Sequence, residues 1–429
     1  MTEAAEDGSP KNSRFNPSRL PATARAQGLV DEIRKQLLSY EAKFHARKKR
    51  RRAVDQERFD RIVTAIVCDL THSSIKDPKA WRHISLSKQR SGSVAVGAPF
   101  MTEARIGIIE WMATPEMDWL ELNKAGQIRN PFRGQQSTIR ASERLRRHVD
   151  ELDLQYEDIG RDMALMGDPI VLKGPKVKGK AETLPVPVGE PADIYRAEMM
   201  KINTWLASGD ISCDLDKHGS ERDVGDRWLT RIFNNGRMDE GGRPTGGFWG
   251  PMSGQSRLTD ICINGEPVAS LDYGQCAIRI AYGMAGEVPP TGDLYCVPGL
   301  EGFREGVKKV LISLFFSAKE LGRKPKGSTK HLPKHLCIRD VEALILRHHQ
   351  PLRPLFYAGI GMTIQCIEGN ILVRTLLALI EHKVVALPVY DCLVVPRSAI
   401  EVTERVMLEC FKSIAGVDCD VAIKDGVCA

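Results

Sequence analysis

The sequence has few of the features that mark a secreted or a membrane-spanning protein. Its eleven cysteines are scattered, and no two stand in a Cys-x-x-Cys spacing, so neither a disulfide framework nor a zinc site is expected. The odd number of cysteines and the absence of a signal peptide favour reduced thiols. No stretch approaches the roughly 20 apolar residues that cross a bilayer. We therefore expect a cytoplasmic protein with no membrane partner.

The sequence also has little net charge, but its basic residues are unevenly placed. The formal net charge is +6 over 429 residues. Residues 47–52 nevertheless form an unbroken basic run, and several arginines crowd a second short stretch. Such clusters predict an anionic partner, most simply nucleic acid, although each cluster taken alone also fits a solvated surface. The candidate nucleic-acid-binding residues in these stretches are Arg50, Arg51, Arg140 and Arg144.

Changes in composition predict four regions along the chain. Residues 1–25 are rich in Ser, Pro, Asn and Ala, which predicts a disordered tail. Residues 26–173 are expected to form a mainly helical, basic, nucleic-acid-binding region. Within it, residues 100–173 fit either a winged helix that docks on a duplex or a generic helical bundle. The Lys-, Gly- and Pro-rich residues 174–191 predict a linker, and residues 192–429 a mixed β/α domain.

Two aspartates in this last domain stand where apolar, strand-like segments meet turns. Asp272 follows the mostly apolar residues 268–271, and Asp391 lies within the mostly apolar segment 384–395. An isolated carboxylate in such a setting is costly to bury unless a counter-charge is present. A divalent metal supplies that charge, and two adjacent aspartates suit two-metal phosphoryl transfer. The alternative is that both aspartates merely cap turns.

A helical segment between the two aspartates carries a second candidate site. Arg304, Lys308, Ile312 and Phe316 each lie four residues apart, so all four follow one face of a helix. This face has two cations at one end and two apolar groups at the other. The arrangement suits a nucleoside triphosphate, with its phosphates on the cations and its base on the aromatic ring.

Taken in order, the three segments resemble motifs A, B and C of family A (polymerase I-like) DNA polymerases and of the related single-subunit phage-type RNA polymerases. Motif A of the DNA enzymes reads Asp-Tyr-Ser-Gln-x-Glu-x-Arg, and the matching segment here runs from Asp272 to Arg279. Motif B corresponds to the helical face just described. Motif C, His-Asp in a β-hairpin, corresponds to Tyr390-Asp391. The resemblance covers roughly residues 230–429.

The resemblance implies an α+β fold: a right-hand polymerase-like palm on an antiparallel sheet, with small helical fingers. It implies two Mg²⁺ ions, replaceable by Mn²⁺, bound by Asp272, Asp391 and the backbone carbonyl of Tyr273. Lys308 would be the general acid. The other implied contacts are the nucleotide-binding residues Arg304, Lys308, Ile312, Phe316, Tyr273 and Ala277, and the primer- or template-binding residues Arg243, Arg257, Arg279 and Gln365.

The function that this resemblance implies is template-directed nucleotidyl transfer, extending a primer on a DNA template with nucleoside triphosphates. The region upstream has no carboxylate cluster suited to a proofreading exonuclease, so a compact polymerase is expected. Ala277 stands where the DNA enzymes have the glutamate that blocks a ribose 2′-hydroxyl, which leaves an RNA-synthesising polymerase or primase open. A non-catalytic replication initiator or DNA-binding regulator is the third alternative.

Overall fold

The computed structural model describes residues 13–86, 98–124, 137–177, 179–214 and 223–425. It divides the chain into two compact units, Met1–Gly167 (unit 1) and Asp168–Ala429 (unit 2). Both units combine α-helices with sheets in which most strand pairs are antiparallel. The structure therefore confirms the predicted α+β class.

Unit 1 packs its helices against a small sheet. The helices are α1 (Ala24–Phe44), α2 (Ala53–Lys76), α3 (Ala104–Met112) and α4 (Glu143–Glu151). The strands are β1 (Ser13–Arg14), β2 (Arg19–Pro21), β3 (Arg82–Ile84), β4 (Leu120–Asn123), β5 (Ser137–Ala141) and β6 (Ile159–Arg161). The sheet order is β1-β3-β5-β4, and β2 pairs with β6.

Helices α1 and α2 form because each has an apolar stripe at helical spacing. In α1 the stripe includes Leu29, Ile33 and Leu37, all at most 2% exposed. The Thr23 hydroxyl caps the start of this helix by accepting a hydrogen bond from the Ala26 amide. The two helices pack on each other and on the sheet, which together make the core of unit 1.

Part of the predicted disordered tail belongs to this fold. Phe15 is buried, and the Arg19 guanidinium forms a 3.0 Å ion pair with the buried Asp69. Since a buried ion pair needs both partners held in place, the prediction of disorder to residue 25 is wrong for residues 13–25. Residues 1–12 lie outside the described part of the chain.

The predicted winged helix over 100–173 does not form as one unit. Within this range, residues 137–141 form the strand β5 of the unit 1 sheet. Residues 170–173, which fall at the end of the predicted winged helix, form a strand that belongs to unit 2 and pairs there with another strand. Unit 1 thus adds a small sheet to the helices that its periodicity predicted.

The described residues of unit 2 form two sheets. Its strands are β7 (Ile170–Lys173), β8 (Thr183–Leu184), β9 (Ile211–Cys213), β10 (Leu229–Phe233), β11 (Gly241–Gly246), β12 (Ile261–Ile263), β13 (Glu266–Tyr273), β14 (Leu387–Val389), β15 (Cys392–Pro396) and β16 (Val421–Asp425). One sheet has the order β11-β10-β7-β8. The other has the order β14-β15-β13-β12-β9, with β16 also pairing with β13.

The helices of unit 2 surround these sheets. They are α5 (Ala192–Ser208), α6 (Gly254–Asp260), α7 (Cys276–Ala285), α8 (Arg304–Phe316), α9 (Ile338–His348), α10 (Gly361–Glu381) and α11 (Ile400–Ala415). Of the described helices, α10 alone is long and apolar enough to span a membrane, and 56% of its apolar window is buried in the structure. It packs against β11, α5, α7 and α11, which is the setting of a core helix.

The boundary between the units lies before the predicted linker. Strand β7 pairs in parallel with β10, with Ile170 opposite Arg231, and β8 pairs with β7 inside the range 174–191. Ile170 and Leu172 are buried in the core of unit 2. The Lys-, Gly- and Pro-rich stretch is therefore an ordered edge of unit 2, which corrects the predicted boundary.

Candidate active site

The central sheet of unit 2 brings Asp272 and Asp391 together. Asp272 is the penultimate residue of β13 and lies opposite Cys392, the first residue of β15. The Tyr273 amide donates a 3.1 Å hydrogen bond to the Asp391 carbonyl. Since neighbouring strands are about 4.8 Å apart, the two aspartates are adjacent although 119 residues of sequence separate Asp272 from Asp391.

Asp391 is held in a strained two-residue turn. Val389 pairs with Cys392, so Tyr390 and Asp391 form the whole connection between β14 and β15. Tyr390 has φ of 56° and a side chain that is 64% exposed. A bulky residue rarely adopts positive φ, and such strain is concentrated at functional sites. The tight hairpin presents Asp391 at the end of the sheet beside Asp272.

The electrostatics of this pair favour a cation. Burial, and then the negative charge of Asp391, raise the pKa of Asp272 to about 6. The positive charges of Lys424 and Lys308 act in the opposite direction and lower it. Two adjacent carboxylates that repel each other in a half-buried setting are relieved when a cation binds between them.

Helix α8 brings its cations to the same region. Lys308 is exposed, and its charge reaches Asp272. Its ammonium lies 5.9 Å from the centre of the Tyr295 ring, and the Arg304 guanidinium lies 5.2 Å from it. Arg304 also forms an ion pair with Asp293. The two predicted phosphate-binding cations therefore lie near one buried aromatic ring. Of the two, Lys308 is the one whose charge lowers the pKa of Asp272.

The apolar end of the α8 face has two different environments. Phe316 is 42% exposed, and its ring covers Gly361 so closely that a Cβ on Gly361 would lie 2.4 Å from the ring. Ile312 is half-buried and packs on the core of unit 2. Ala277, in the first turn of α7 soon after Asp272, is half-buried as well. Of these, Phe316 presents the most surface to a ligand.

Sequence reasoning missed an acidic residue of this site, Glu368. It lies in α10, is 3% exposed, and its carboxylate forms an ion pair with Arg243 of β11. Burial raises its pKa to about 7; Arg243 lowers the pKa, while the charges of Asp391 and Asp272 raise it further. The charges of both aspartates therefore affect the ionisation of Glu368. The signal that could have found it is the one used for them, a carboxylate inside an apolar segment.

Arg243 and Gln365 were each predicted to contact primer or template. Gln365 lies three residues before Glu368 on the same helix. The close approach of α10 to β11 occurs at Gly369, where a Cβ would lie 2.6 Å from the Gly242 carbonyl oxygen. This contact brings Glu368, the residue before Gly369, to Arg243.

Three predicted site residues in unit 2 have internal partners instead. The Tyr273 side chain is buried, and its hydroxyl bonds to Thr375, so only its backbone can serve a ligand. Arg279 is 8% exposed, forms a 2.6 Å ion pair with Asp420 and donates to the Asp418 carbonyl. Arg257 donates to the carbonyls of Trp249 and Met252. The sequence pattern could not reveal these contacts, because all the partners lie outside the motifs.

The same holds for three of the four predicted nucleic-acid-binding residues in unit 1. Arg51 pairs with the buried Glu41 at 2.8 Å, and Arg140 pairs with Glu121 at 2.6 Å. Arg144 donates to the Met117 carbonyl and to Gln36, and its guanidinium lies over the Trp119 ring. Arg50, by contrast, is exposed.

The donors at the carboxylate pair fit Mg²⁺. Among the described residues no group of three or more His, Cys, Asp or Glu is arranged to hold a metal ion. Mg²⁺, however, is usually held by one or two carboxylates together with water and substrate phosphates. Asp272, Asp391 and the Tyr273 carbonyl are such a set. The buried Glu368 Oε1 has no hydrogen-bond partner among the described residues.

Comparison with solved structures gives only weak similarity. No family model matches this sequence, and no curated protein matches it. Among the solved structures that match is the POL domain of Pol1 from M. smegmatis, in complex with DNA primer-template and dNTP. The two chains are 12% identical; the match covers 95% of this chain and 79% of that chain, with a TM-score of 0.31. A similarity of this size assigns no function.

Proposed function

We propose that this protein is a template-directed nucleotidyltransferase that extends a primer with nucleoside triphosphates. One observation carries the proposal: Asp272 and Asp391, from segments far apart in sequence, meet at the end of one sheet, and the positive charge of Lys308 lowers the pKa of Asp272. Adjacent carboxylates can hold the metal ions of two-metal phosphoryl transfer, and a cation near them can neutralise substrate phosphates. We further propose that the central sheet is a polymerase-like palm and that α8 belongs to small fingers.

In this proposal Asp272, Asp391 and the Tyr273 carbonyl hold two Mg²⁺ ions, which Mn²⁺ can replace. When bound, the ions activate the primer 3′-hydroxyl and neutralise the charge on the leaving pyrophosphate. Lys308 is exposed and can donate a proton from its ammonium to that leaving group. Arg304 binds phosphate, which requires it to share its guanidinium between the substrate and Asp293.

The remaining residues position the reactants. Phe316 offers an exposed ring on which the incoming base pair can stack. Arg243 keeps 28% of its side chain exposed beside Glu368, so it can reach a primer or template strand. The pairing with Glu368 orients the guanidinium and leaves part of its donor capacity free.

An RNA-synthesising polymerase or primase is the second candidate function. The observation that favours it is Ala277, whose methyl group replaces a long acidic side chain in the first turn of the helix that follows Asp272. A small residue there leaves room for a ribose 2′-hydroxyl. A non-catalytic DNA-binding protein is less well supported, because such a protein has no need for two adjacent, mutually repelling carboxylates.

Primer extension tests the proposal. The full chain is mixed with a primed DNA template and Mg²⁺, and dNTPs or rNTPs are supplied separately. Asp272→Asn and Asp391→Asn should each lower the extension rate by about a hundredfold or more, since metal catalysis is worth several kcal/mol. Asp418→Asn is the matched control: this aspartate is exposed and pairs with Lys412, so the variant should keep its activity.

The outcomes separate the alternatives. Extension with rNTPs but not dNTPs selects the RNA-synthesising candidate. Extension that survives both aspartate variants overturns the metal assignment. If neither nucleotide set is incorporated with Mg²⁺ or Mn²⁺, the protein is not a polymerase, and the non-catalytic alternative stands.

A further inference from the structure

Unit 1 exposes a cluster of aromatic side chains at the end of α1. The cluster, called here the stacking surface, consists of Tyr40, Phe44, His45 and Trp111. The Tyr40 and Phe44 rings lie 4.7 Å apart, and the His45 and Trp111 rings stack at 5.1 Å with an interplanar angle of 20°. Phe44 is 48% exposed and His45 is exposed. These rings lie at the rim of the unit 1 core, so part of their faces is open to a ligand.

The loop that follows α1 surrounds this surface with positive charge, and the structure sorts the basic run 47–52 into two groups. Arg47 and Arg51 pair with Glu41, and Arg52 pairs with Asp55. The other three members, Lys48, Lys49 and Arg50, are exposed and make no ion pair within the described residues.

The three paired arginines hold the loop in place through their carboxylate partners. The three exposed cations at residues 48–50 remain available to a ligand. Lys43 adds a further cation, with its ammonium 4.9 Å from the centre of the Phe44 ring.

An open groove of about 470 Å³ continues from the stacking surface along α1. Lys35, Ser39, Tyr40 and Lys43 line it together with Met117, Gln36 and one acidic residue, Glu32. The groove thus offers aromatic, hydrogen-bonding and cationic groups along one side of a helix.

We propose that the stacking surface and its groove bind single-stranded nucleic acid. Bases stack on the exposed aromatic faces, while Lys43, Lys48, Lys49 and Arg50 contact phosphates. Binding of single strands without sequence preference combines a positively charged groove with exposed aromatic rings on which bases stack. The described residues of this surface provide both. A duplex fits less well, because its base faces are already stacked on one another and closed to protein rings. The proposal concerns unit 1 alone and does not require that unit 2 be a polymerase.

Fluorescence anisotropy with the full chain tests this site. The probes are a labelled 20-nucleotide oligo-dT and a blunt hairpin duplex of the same number of nucleotides. Phe44→Leu keeps the apolar volume but removes the ring face. It should weaken oligo-dT binding by about fivefold or more, since a base stacked on an aromatic ring is worth about 1–3 kcal/mol. Duplex binding should not change.

A charge pair provides the second variant and its control. Lys48→Ala/Lys49→Ala should weaken oligo-dT binding and reduce the slope of log K against log salt by about 1.4, from about 0.7 per phosphate contact. The control is Lys79→Ala/Arg147→Ala, which removes the same charge from exposed positions elsewhere in unit 1. This control variant should keep the wild-type affinity for oligo-dT and the wild-type salt slope.

Three outcomes would overturn the proposal. If Phe44→Leu weakens the binding of duplex and of oligo-dT equally, or changes the binding of neither probe, no base stacks on this surface. If the two double variants behave alike, the cations act only through net charge. If polyglutamate, or vesicles containing phosphatidylserine, compete as well as unlabelled oligo-dT, the surface is a general polyanion or membrane site. Because Asp272→Asn/Asp391→Asn should bind oligo-dT normally, failure of the polymerase proposal remains separable from failure here.

Discussion

Asp272 destabilises the fold when it is ionised in the absence of metal. Its pKa of about 6 lies above its ordinary value of 3.8, because burial and the charge of Asp391 both oppose ionisation. Because the folded state holds the Asp272 proton more tightly than the unfolded state does, protonation of Asp272 favours folding. This contribution to the free energy of unfolding is fully present below pH 3.8 and is lost as the pH rises through 6. At neutral pH and without metal, Asp272 therefore lowers the free energy of unfolding. Its presence is better explained by a function than by a role in folding.

Asp272→Asn should therefore stabilise the metal-free protein at pH 8, by about 1–3 kcal/mol from a shift of roughly two pH units. The gain should be clearly smaller at pH 4.5, where folded wild-type Asp272 is mostly protonated, and should vanish only well below pH 3.8, where the unfolded chain is protonated too. Urea unfolding in EDTA at the two pH values measures the difference. Excess Mg²⁺ at pH 8 should stabilise wild type and not the variant. A gain of equal size at both pH values would contradict the assignment of the raised pKa to Asp272.

At the scale of elements, the contact between α10 and β11 positions Glu368 and Arg243. This contact depends on Gly369, since a Cβ there would lie 2.6 Å from the Gly242 carbonyl oxygen and 3.2 Å from the Arg243 Cα. Both obstacles are backbone atoms, so neither can rotate away. The helix can therefore approach the strand only while residue 369 has no side chain.

Gly369→Ala should destabilise the protein by about 1–3 kcal/mol, the usual effect of overpacking a core. It should also lower primer extension, because α10 must move and carry Glu368 away from Arg243. Gly28→Ala in α1 is the matched control: no atom lies within 4 Å of the added Cβ. That change should stabilise by about 0.5–1 kcal/mol through helix propensity. Equal stability of Gly369→Ala and wild type in urea would argue against the close approach of α10 and β11.

At the scale of the whole molecule, the division of the chain decides which residues fold together. Unit 2 has its own core cluster, and β7 contributes Ile170 and Leu172 to it. β7 also supplies the parallel partner of β10, so the four-stranded sheet of unit 2 is incomplete without it. A boundary placed from the Pro- and Gly-rich stretch removes this strand from the domain to which it belongs.

Two fragments test this division. Residues 168–429 expressed alone should be soluble and unfold cooperatively, because they include all of the unit 2 core. Residues 192–429, which begin after the predicted linker, should aggregate or lose cooperativity, since the edge of β10 and its apolar residues become exposed. Circular dichroism and size-exclusion chromatography compare the two. Equal stability of the two fragments would show that β7 is dispensable and that the sequence-based boundary was the better one.

Local sequence by itself determined the strands that lead to Asp272 and Asp391 and the helix that carries Arg304, Lys308, Ile312 and Phe316. These follow from short-range physics: periods of two and 3.6 residues are visible within a single segment. The cost of burying a carboxylate is equally visible, and it marked both aspartates as unusual before any fold was known.

The tertiary structure alone decided which polar groups have partners. It paired Arg243 with Glu368, Arg279 with Asp420 and Arg51 with Glu41, and it left Lys48, Lys49 and Arg50 exposed. It also assigned β7 to unit 2. An arginine has the same local pattern whether it binds a ligand or a carboxylate of its own chain. The partner is set by long-range packing, and that information lies in no single segment of the sequence.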